Sequence, residues 1–287
     1  MRHRKLSYIL ILTLVIISLI LAGMIWFGRD QGLKVVFLDV GQGDAILIMQ
    51  GSNQILIDGG PNGQVLMEKL GHYVPFWDRE IEMIIATHPD QDHIEGLLEA
   101  MKNYRVGSLV ETTVQSESQL YKKFEEVLAQ KQIQKIQALA GTKIKMDQAE
   151  IEILSPRGEV PTGEVKDTNS YSVVARLVFG QNSFLFTGDL PEEEEKKLIQ
   201  NKVDLQAQIL KVAHHGSKYS TGAEFLEAVK PKEAIISVGK NNRYGHPASE
   251  ALERIKKQRI NILRTDERGD IRYDCKSIDL ACAVVAN

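Results

Sequence analysis

The sequence predicts a layered α/β fold in which helices flank two sheets. From Leu33 onward, short apolar runs of strand length alternate with amphipathic runs of helix length. Several of the apolar runs end in Asp or His followed by glycine, so that the strands would carry polar groups to their ends. No short internal repeat indicates a solenoid. The pattern favours one α/β domain over residues 33–287.

The elements follow one another without a long low-complexity break. The first half predicts strands at Lys34–Asp39, Ala45–Met49, Gln54–Asp58, Glu82–Ala86 and Glu150–Leu154, with helices at Gly63–Gly71, from about Ile94, and at Gln119–Lys131. A turn-rich loop then leads to Thr168. The second half predicts strands at Ser172–Val178, Ser183–Phe186, Gln208–Val212, Glu233–Val238 and Asn261–Leu263, with helices from Pro191, at Ala223–Ala228 and at Ser249–Lys257. The tail from Asp270 adds one or two strands.

The N-terminus differs from the rest of the chain. Residues 1–5 are basic, and residues 6–27 contain no charged side chain. About 20 apolar residues suffice to cross a bilayer as a helix. A cleaved signal peptide is the alternative, but this run exceeds the usual apolar region of roughly 7–15 residues and no A-x-A site follows it. We expect a cytoplasmic segment 1–5, a single membrane anchor 6–27, a linker 28–32 and a catalytic domain outside the cell membrane.

Composition and charge set only broad limits. The 287 residues are 43% hydrophobic and 25% charged, as in ordinary globular proteins. The net charge of -3 argues against broad electrostatic capture of nucleic acid but leaves a local basic groove open. The two cysteines, Cys275 and Cys282, are too few for a Cys-rich zinc site. A disulfide between them and two free structural thiols both remain open.

The segment Thr87–His93 carries the strongest chemical signal. His88, Asp90, Asp92 and His93 follow an apolar strand and precede a helix. Imidazole nitrogens and carboxylate oxygens are the ligands that divalent metals prefer. A solvated polar turn is the alternative, but four such groups in six positions after a buried strand favour a metal site.

Polar groups also stand at the ends of other predicted strands. Asp58 and Asp189 each end an apolar strand, and such a carboxylate can orient a ligating histidine or bridge two cations. For either residue alone, an Asx-turn or a helix cap is an equally good interpretation. His214 and His215 are adjacent at a strand end and point in different directions, so one can bind metal while the other meets substrate. His246 adds a weaker signal in a turn before a helix.

The order Asp58-Gly, His88-x-Asp90-x-Asp92-His93, Gly188-Asp189, His214-His215 resembles the metallo-β-lactamase fold superfamily. More narrowly, the segments Phe37–Ala45 and Ala213–Ser217 resemble the C-terminal domain of ComEC-type competence proteins, which are bacterial DNA-uptake channels. The resemblance spans Lys34 to Leu263, and the combination of motifs is much more specific than each motif alone.

The chain departs from the superfamily pattern in two respects. Asp90 stands where the second histidine of His-x-His-x-Asp-His belongs, and the third histidine is missing near Asp167–Ser170. Both changes replace nitrogen by oxygen donors, which makes Mn²⁺ plausible beside Zn²⁺. ComEC-type channels also carry many transmembrane segments, whereas this sequence predicts one. The chain therefore resembles a stand-alone relative of the catalytic domain.

The resemblance implies a four-layer αββα metallo-β-lactamase-like sandwich with two divalent metal ions, Zn²⁺ or Mn²⁺, at the sheet edges. It assigns His88 and Asp90 to one metal, Asp92, His93 and His215 to the other, and Asp189 between them. Residues in contact with the phosphate or the leaving oxygen would be Asp92, His214, His246, Asn169 and Ser217. Asp58 would hold a histidine in its ligating tautomer, and Asp39, Gln42 and Asp44 would either approach the site or brace the sheet.

The function that the resemblance implies is a membrane-anchored phosphodiesterase or nuclease that acts on DNA, with competence machinery as a partner. One alternative is an esterase for a cell-wall phosphoester such as phosphorylcholine, although a choline cage needs clustered aromatics and only 6% of residues are aromatic. Another is a non-catalytic DNA-binding or assembly module, suggested by the incomplete histidine set. The same departure argues against β-lactamase activity.

Overall fold

The computed structural model describes residues 2–27 and 32–285, without the side chains of residues 2–4, 6 and 21–27. The chain divides into two units, Met1–Gln31 and Gly32–Asn287. The first contains one helix, α1 (Arg2–Phe27). Within the described residues, no helix is long and apolar enough to cross a membrane. The membrane anchor therefore stays a prediction, and the predicted linker lies, apart from Gly32, outside the described residues.

The second unit alternates strands and helices. Its helices are α2 (Gly63–Tyr73), α3 (Gln91–Asn103), α4 (Gln119–Lys131), α5 (Glu192–Gln200), α6 (Ala223–Val229), α7 (Ser249–Lys257) and α8 (Thr265–Arg268). Its strands are β1 (Leu33–Phe37), β2 (Ile46–Gln50), β3 (Asn53–Ile57), β4 (Glu80–Ala86), β5 (Arg105–Glu111), β6 (Val114–Gln115), β7 (Gln134–Gln137), β8 (Lys143–Met146), β9 (Ala149–Ser155), β10 (Gly163–Glu164), β11 (Val174–Phe179), β12 (Asn182–Phe186), β13 (Ile209–Lys211), β14 (Glu233–Ile236), β15 (Asn261–Arg264), β16 (Ile271–Cys275) and β17 (Ala283–Val285).

The strands form two large mixed sheets. One has eight strands in the order β17-β16-β1-β2-β3-β4-β5-β7, and the other has seven in the order β15-β14-β13-β12-β11-β9-β8. Strands β3, β4, β5 and β7 run parallel in the first sheet, as do β12 to β15 in the second. The carboxyl ends of adjacent parallel strands lie at one edge of a sheet, where ligands commonly bind in α/β folds.

The hydrophobic core is layered in the same way. Side chains from the two sheets pack face to face, among them Phe37 and Ile48 of the first sheet and Ile151 and Phe184 of the second. A second cluster joins the outer face of the eight-stranded sheet to α2, α3 and α4, and a third joins the outer face of the other sheet to α5, α6 and α7. The predicted metallo-β-lactamase-like αββα arrangement of the second unit is therefore confirmed.

Helix α3 approaches the end of β3 very closely. A Cβ atom added to Gly96 would lie 1.9 Å from the carbonyl oxygen of Gly59, so only glycine permits this contact. The backbone N–H of Gly59 in turn donates to the carbonyl of His93 at 2.7 Å. This close packing fixes the first turn of α3 against the strand end that carries Asp58.

The C-terminal tail contains both strands that the sequence allows, β16 and β17. Cys275 at the end of β16 forms a disulfide with Cys282, so the structure contains the first of the two alternatives for these cysteines. Five strands were not predicted: β5, β6, β7, β8 and β10. Side chains of β7 are mostly exposed and polar at this sheet edge, so the strand lacks the apolar alternation by which others were found.

Candidate metal centre

The turn after β4 places the predicted cluster at the carboxyl end of the strand. His88 is buried immediately after the strand, and Asp90 lies at the N-terminus of α3 with its side chain 41% exposed. His93 follows in the first turn of the helix and is completely buried. Because the helix starts at Gln91, Asp92 and His93 are on the same turn and both reach the strand end.

Asp58 and Thr87 are hydrogen-bonded to each other and hold His88 and His93 by their Nδ1 atoms. Asp58 accepts hydrogen bonds from the backbone and hydroxyl of Thr87 at 2.8 and 2.7 Å, and from Nδ1 of His93 at 2.8 Å. The Thr87 hydroxyl donates its proton to Asp58. Its oxygen therefore accepts from Nδ1 of His88, which lies 3.0 Å away. Nδ1 of both imidazoles is therefore a donor to a fixed partner, which leaves Nε2 as the atom available to a metal, as in metal-ligating histidines.

The second sheet contributes Asp189, which follows β12 after Thr187 and Gly188. Gly188 has φ of +51°, and a Cβ atom there would lie 3.0 Å from the Thr87 side chain, so glycine lets the two strand ends meet. Asp189 is buried, and its Oδ1 lies 3.3 Å from Nε2 of His93. The backbone N–H of Asp189 donates to the hydroxyl of Ser172 at 3.3 Å, which fixes the turn.

His214 and His215 follow β13 in the left-handed backbone region, with φ of 50° and 53°. Two consecutive non-glycine residues in this region are strained, which is common at functional sites. The two rings are nearly perpendicular, with their planes inclined by 86°. His215 is buried and donates from Nδ1 to the carbonyl of Ser237 at 2.9 Å, whereas the side chain of His214 is 33% exposed. The predicted divergence of the neighbours is present in the structure.

Several ligand atoms converge without bonding one another. The buried atoms that lack a hydrogen-bond partner within the described residues include Nε2 of His88, His93 and His215, and Oδ1 of Asp189. One ligand atom each of Asp92, His93, Asp189 and His215 lies within 4.8 Å of the other three. Buried polar atoms are costly when unpaired, so their convergence on one space is the arrangement expected of a metal site. The donor set fits a divalent ion.

The electrostatics of this cluster agree with a cation site. Burial alone raises the pKa of Asp189, but the neighbouring His215 and His93 hold that pKa well below its usual range. Burial alone also lowers the pKa of His93, yet the charges of Asp189 and Asp58 raise it well above the ordinary value. In the metal-free state the buried carboxylates thus favour positive charge between them. A divalent ion would supply that charge.

The segment at the missing third histidine also lies at the site. Thr168 donates a hydrogen bond of 2.6 Å from its hydroxyl to Oδ1 of Asp90, whose Oδ2 is 3.8 Å from Nε2 of His88. The adjacent Asn169 has a buried Oδ1 that lacks a hydrogen-bond partner among the described residues. His88, Asp90 and Asn169 therefore border one half of the centre, and oxygen donors stand where the superfamily pattern has histidines.

The residues of the glycine-rich turn after β1 have two different roles. Asp44 is buried, with Oδ1 3.3 Å from Nδ1 of His215, so it supports the site. Gln42 accepts from the backbone of Gly239 at 3.2 Å and braces the loop after β14. Asp39 accepts from Gly41 and, through its backbone, donates to Asp270. Its contacts match the bracing alternative rather than an approach to the metal ligands.

The predicted substrate-contacting residues lie around the same opening. Nε2 of His214 is 3.7 Å from Oδ2 of Asp189, and the ring of His246 lies against that of His214 at 5.6 Å. Asp92 has a side chain that is 30% exposed, with Oδ2 3.3 Å from Nε2 of His215. Ser217 is buried, and its hydroxyl accepts from the backbone of Tyr219 at 3.3 Å. In this position Ser217 supports the loop.

Three supporting residues were not found from the sequence: Thr87, Thr168 and Lys211. Lys211 is completely buried and pairs with the carboxylate of Asp44. Burial alone raises the pKa of Asp44, but the charge of Lys211 lowers it. One signal was available for Lys211, because a lysine inside the apolar run Ile209–Val212 needs a buried anionic partner. Thr87 and Thr168 carry no comparable signal.

The comparisons with known proteins agree with this geometry. Residues 38–240 match the family model described as the metallo-beta-lactamase superfamily. The chain is 33% identical over 266 residues to ComE operon protein 3 of Bacillus subtilis, covering 85% of this chain and 33% of that protein. It is 30% identical over 246 residues to Recombination protein 2 of Haemophilus influenzae, covering 84% of this chain and 29% of that protein. Competence protein ComA of Neisseria gonorrhoeae is 27% identical over 264 residues, covering 89% and 35%. The resemblance to competence proteins is thereby confirmed, and the chain spans about a third of the length of these relatives.

Solved structures share the fold at low sequence identity. The metallo-beta-lactamase fold protein YhfI from Bacillus subtilis aligns with a TM-score of 0.57 at 12% identity, covering 84% of this chain and 99% of that one. PqqB from Methylobacterium extorquens aligns with a TM-score of 0.51 at 10% identity, covering 84% and 90%. At these identities the likeness concerns the fold alone.

Proposed function

Because the chain belongs to the metallo-β-lactamase superfamily, we propose that it is a metal-dependent phosphodiesterase that acts on DNA, anchored in the cell membrane by its N-terminal helix with the catalytic domain outside. One observation carries the catalytic part of the proposal. One ligand atom each of Asp92, His93, Asp189 and His215 lies within 4.8 Å of the other three, and the ring of His88, whose Nε2 has no partner among the described residues, lies against that of His93. Relatives that are named for competence support DNA as the substrate.

The residues divide into two half-sites. His88 and Asp90 would hold one ion, Asp92, His93 and His215 would hold the other, and Asp189 would bridge the two. Two divalent ions supply positive charge for the phosphate oxygens and lower the pKa of an attacking water. Oxygen donors are more numerous than in the His-rich superfamily pattern, which makes Mn²⁺ a suitable ion beside Zn²⁺.

The remaining polar groups suit binding and proton transfer. His214 is partly exposed beside Asp189 and faces His246, so either ring can pass a proton to the leaving oxygen. Burial, together with the charges of His214 and His215, lowers the pKa of His246. The side-chain NH₂ group of Asn169 is of the type that donates to a phosphate oxygen, whereas its buried unpaired oxygen suits a cation.

The test joins metal content to activity in the full chain, solubilised in mild detergent. We expect up to two bound Mn²⁺ or Zn²⁺ ions per chain, measured by elemental analysis after dialysis, and metal-dependent hydrolysis of bis(p-nitrophenyl) phosphate and DNA. Asp189→Asn and His93→Gln should lose both bound metal and hydrolysis. Glu99→Gln is the matched control, because Glu99 lies on the same helix as His93 but pairs with Lys102 at the surface.

The same panel includes teichoic acid and phosphorylcholine esters. Hydrolysis of these esters with none of DNA would reject the proposed substrate and favour a cell-wall esterase. If the chain takes up no divalent ion, the proposal that it is a metal-dependent enzyme is rejected. Equal activity in the wild type and in Asp189→Asn would assign the hydrolysis to a contaminant.

A further inference from the structure

A row of aromatic rings leads from solvent to the metal centre. Tyr244 is 55% exposed and stacks on His246, with centroids 5.9 Å apart and planes inclined by 25°. His246 meets His214 edge to face at 5.6 Å. His214 in turn lies beside Asp189. The exposed tyrosine is therefore two rings away from a residue of the centre.

The loops that carry these histidines are basic, although the chain as a whole is acidic. Residues 213–222 and 239–248 contain Lys218, Lys240 and Arg243 but no Asp or Glu. None of the three cations forms an ion pair with a carboxylate within the described part of the chain. Cations without a carboxylate partner, beside an exposed aromatic ring, are the features that bind single-stranded nucleic acid without sequence preference.

Arg243 covers part of the tyrosine in the free protein. Its guanidinium lies 5.0 Å from the ring centroid of Tyr244 and donates to the phenol oxygen at 2.9 Å. This exposed cation–π contact favours the conformation in which Arg243 covers the ring only about 2- to 5-fold over one in which the ring is uncovered. Stacking of a base on an aromatic ring is worth about 5- to 150-fold in affinity. A strand that offers both a base and a phosphate can therefore displace the guanidinium from the ring and pair with it.

We propose that Arg243 and Tyr244 form a binding shelf for single-stranded nucleic acid, where Tyr244 stacks on a base and Arg243 contacts the phosphate beside the one that is cleaved. The proposal rests on the phosphodiesterase function and names its substrate class more closely. A paired base in a duplex is already stacked between its neighbours and is not available to the ring. The shelf should therefore bind single strands or frayed duplex ends in preference to an intact duplex.

The first experiment measures binding of the full chain to a fluorescent single-stranded oligonucleotide after metal removal, so that no cleavage occurs. Tyr244→Ala should weaken binding about 5- to 150-fold, and Tyr244→Phe should restore it, because the ring alone stacks. Arg243→Ala should weaken binding and make it less dependent on salt. Trp77→Ala is the matched control, since Trp77 is 74% exposed but precedes β4, at the strand end opposite His88.

The second experiment separates binding from chemistry with Mn²⁺-loaded protein. Tyr244→Ala should raise KM for the oligonucleotide while kcat stays within about twofold, as expected for loss of uniform binding. Its kcat/KM should fall more for the oligonucleotide than for bis(p-nitrophenyl) phosphate, because that small ester does not reach the shelf. Loss of activity on both substrates would mean that the tyrosine only supports His246, and it would overturn the proposal.

Strands that lack one base at successive positions give the decisive control. Wild-type binding should weaken at one abasic position, and Tyr244→Ala should not respond to it. A uniform response at all positions, or preferential Tyr244-dependent binding of teichoic acid fragments, would overturn the proposal. If the loaded chain hydrolyses neither phosphodiester, the phosphodiesterase function fails, while the binding experiment still decides whether the shelf exists.

Discussion

The hydroxyl of Thr168 donates a hydrogen bond of 2.6 Å to Oδ1 of Asp90. Asp90 is the residue that replaces a histidine of the superfamily pattern, and its other oxygen points toward Nε2 of His88 at 3.8 Å. A carboxylate that is 41% exposed would otherwise rotate freely. The hydrogen bond therefore fixes one oxygen and leaves the other to face the half-site of His88.

Replacement of Thr168 tests this relationship. We expect Thr168→Val to weaken binding at the His88 half-site about 10- to 100-fold, because loss of a partner that orients a ligand has that effect. Thr168→Ser keeps the hydroxyl and should bind normally. A competitive titration against a metal-sensitive dye measures both steps of binding. Equal affinity of Thr168→Val and the wild type at both steps would contradict a role for this hydrogen bond.

Thr87 should affect both histidines of the turn, since its hydroxyl joins Nδ1 of His88 to Asp58. Thr87→Val leaves a buried donor on His88 and removes one partner of Asp58. We expect metal affinity to fall about 10- to 100-fold and the free energy of unfolding of the metal-free chain to fall by about 1–3 kcal/mol. Nitrogen NMR of the imidazoles should show a mixture of tautomers for His88. Thr87→Ser is the control, and a single unchanged tautomer in Thr87→Val would refute the relay.

The buried pair Lys211 and Asp44 should contribute stability to the metal-free chain. Lys211→Met leaves the carboxylate of Asp44 buried without its cation, which costs about 3–5 kcal/mol. The double variant Lys211→Met, Asp44→Asn removes both charges and should recover part of the loss. Chemical denaturation of the metal-free chains measures the difference. A single variant as stable as the wild type would show that water or another cation compensates Asp44.

The sequence predicted most of the site because its ligands stand at strand ends in recognisable motifs. Asp58, His88 and Asp189 follow apolar strands, and parallel strands bring their carboxyl ends together. The alternation of strands and helices predicted a layered α/β body, and the family resemblance implied its four layers. Supporting hydrogen bonds were harder to predict: Thr168 is 78 residues from Asp90, and no local pattern links them. The strand β7 was missed because an exposed polar edge strand lacks hydrophobic periodicity.

Glu195 lies inside α5, and its carboxylate accepts hydrogen bonds from the backbone of Thr221 and Gly222 at 2.6 and 2.9 Å. Burial raises the pKa of Glu195 to about 7 from an ordinary value of 4.5, against the lowering effect of those two N–H groups. The folded state therefore holds a proton between pH 4.5 and about 7 that the unfolded state has released. Stability from this group is complete below the unfolded pKa and is lost as the pH rises through the folded one.

Replacement of Glu195 by glutamine should make the free energy of unfolding less dependent on pH. From about pH 4.5 to pH 7.5, the wild type should lose on the order of 3 kcal/mol of unfolding free energy relative to Glu195→Gln. Glu193→Gln is the matched control, because Glu193 is exposed on the same helix. Denaturant unfolding of the metal-free chains across this range measures the slope. Parallel pH profiles for the wild type and Glu195→Gln would show that the carboxyl has the same pKa in the folded and unfolded chains.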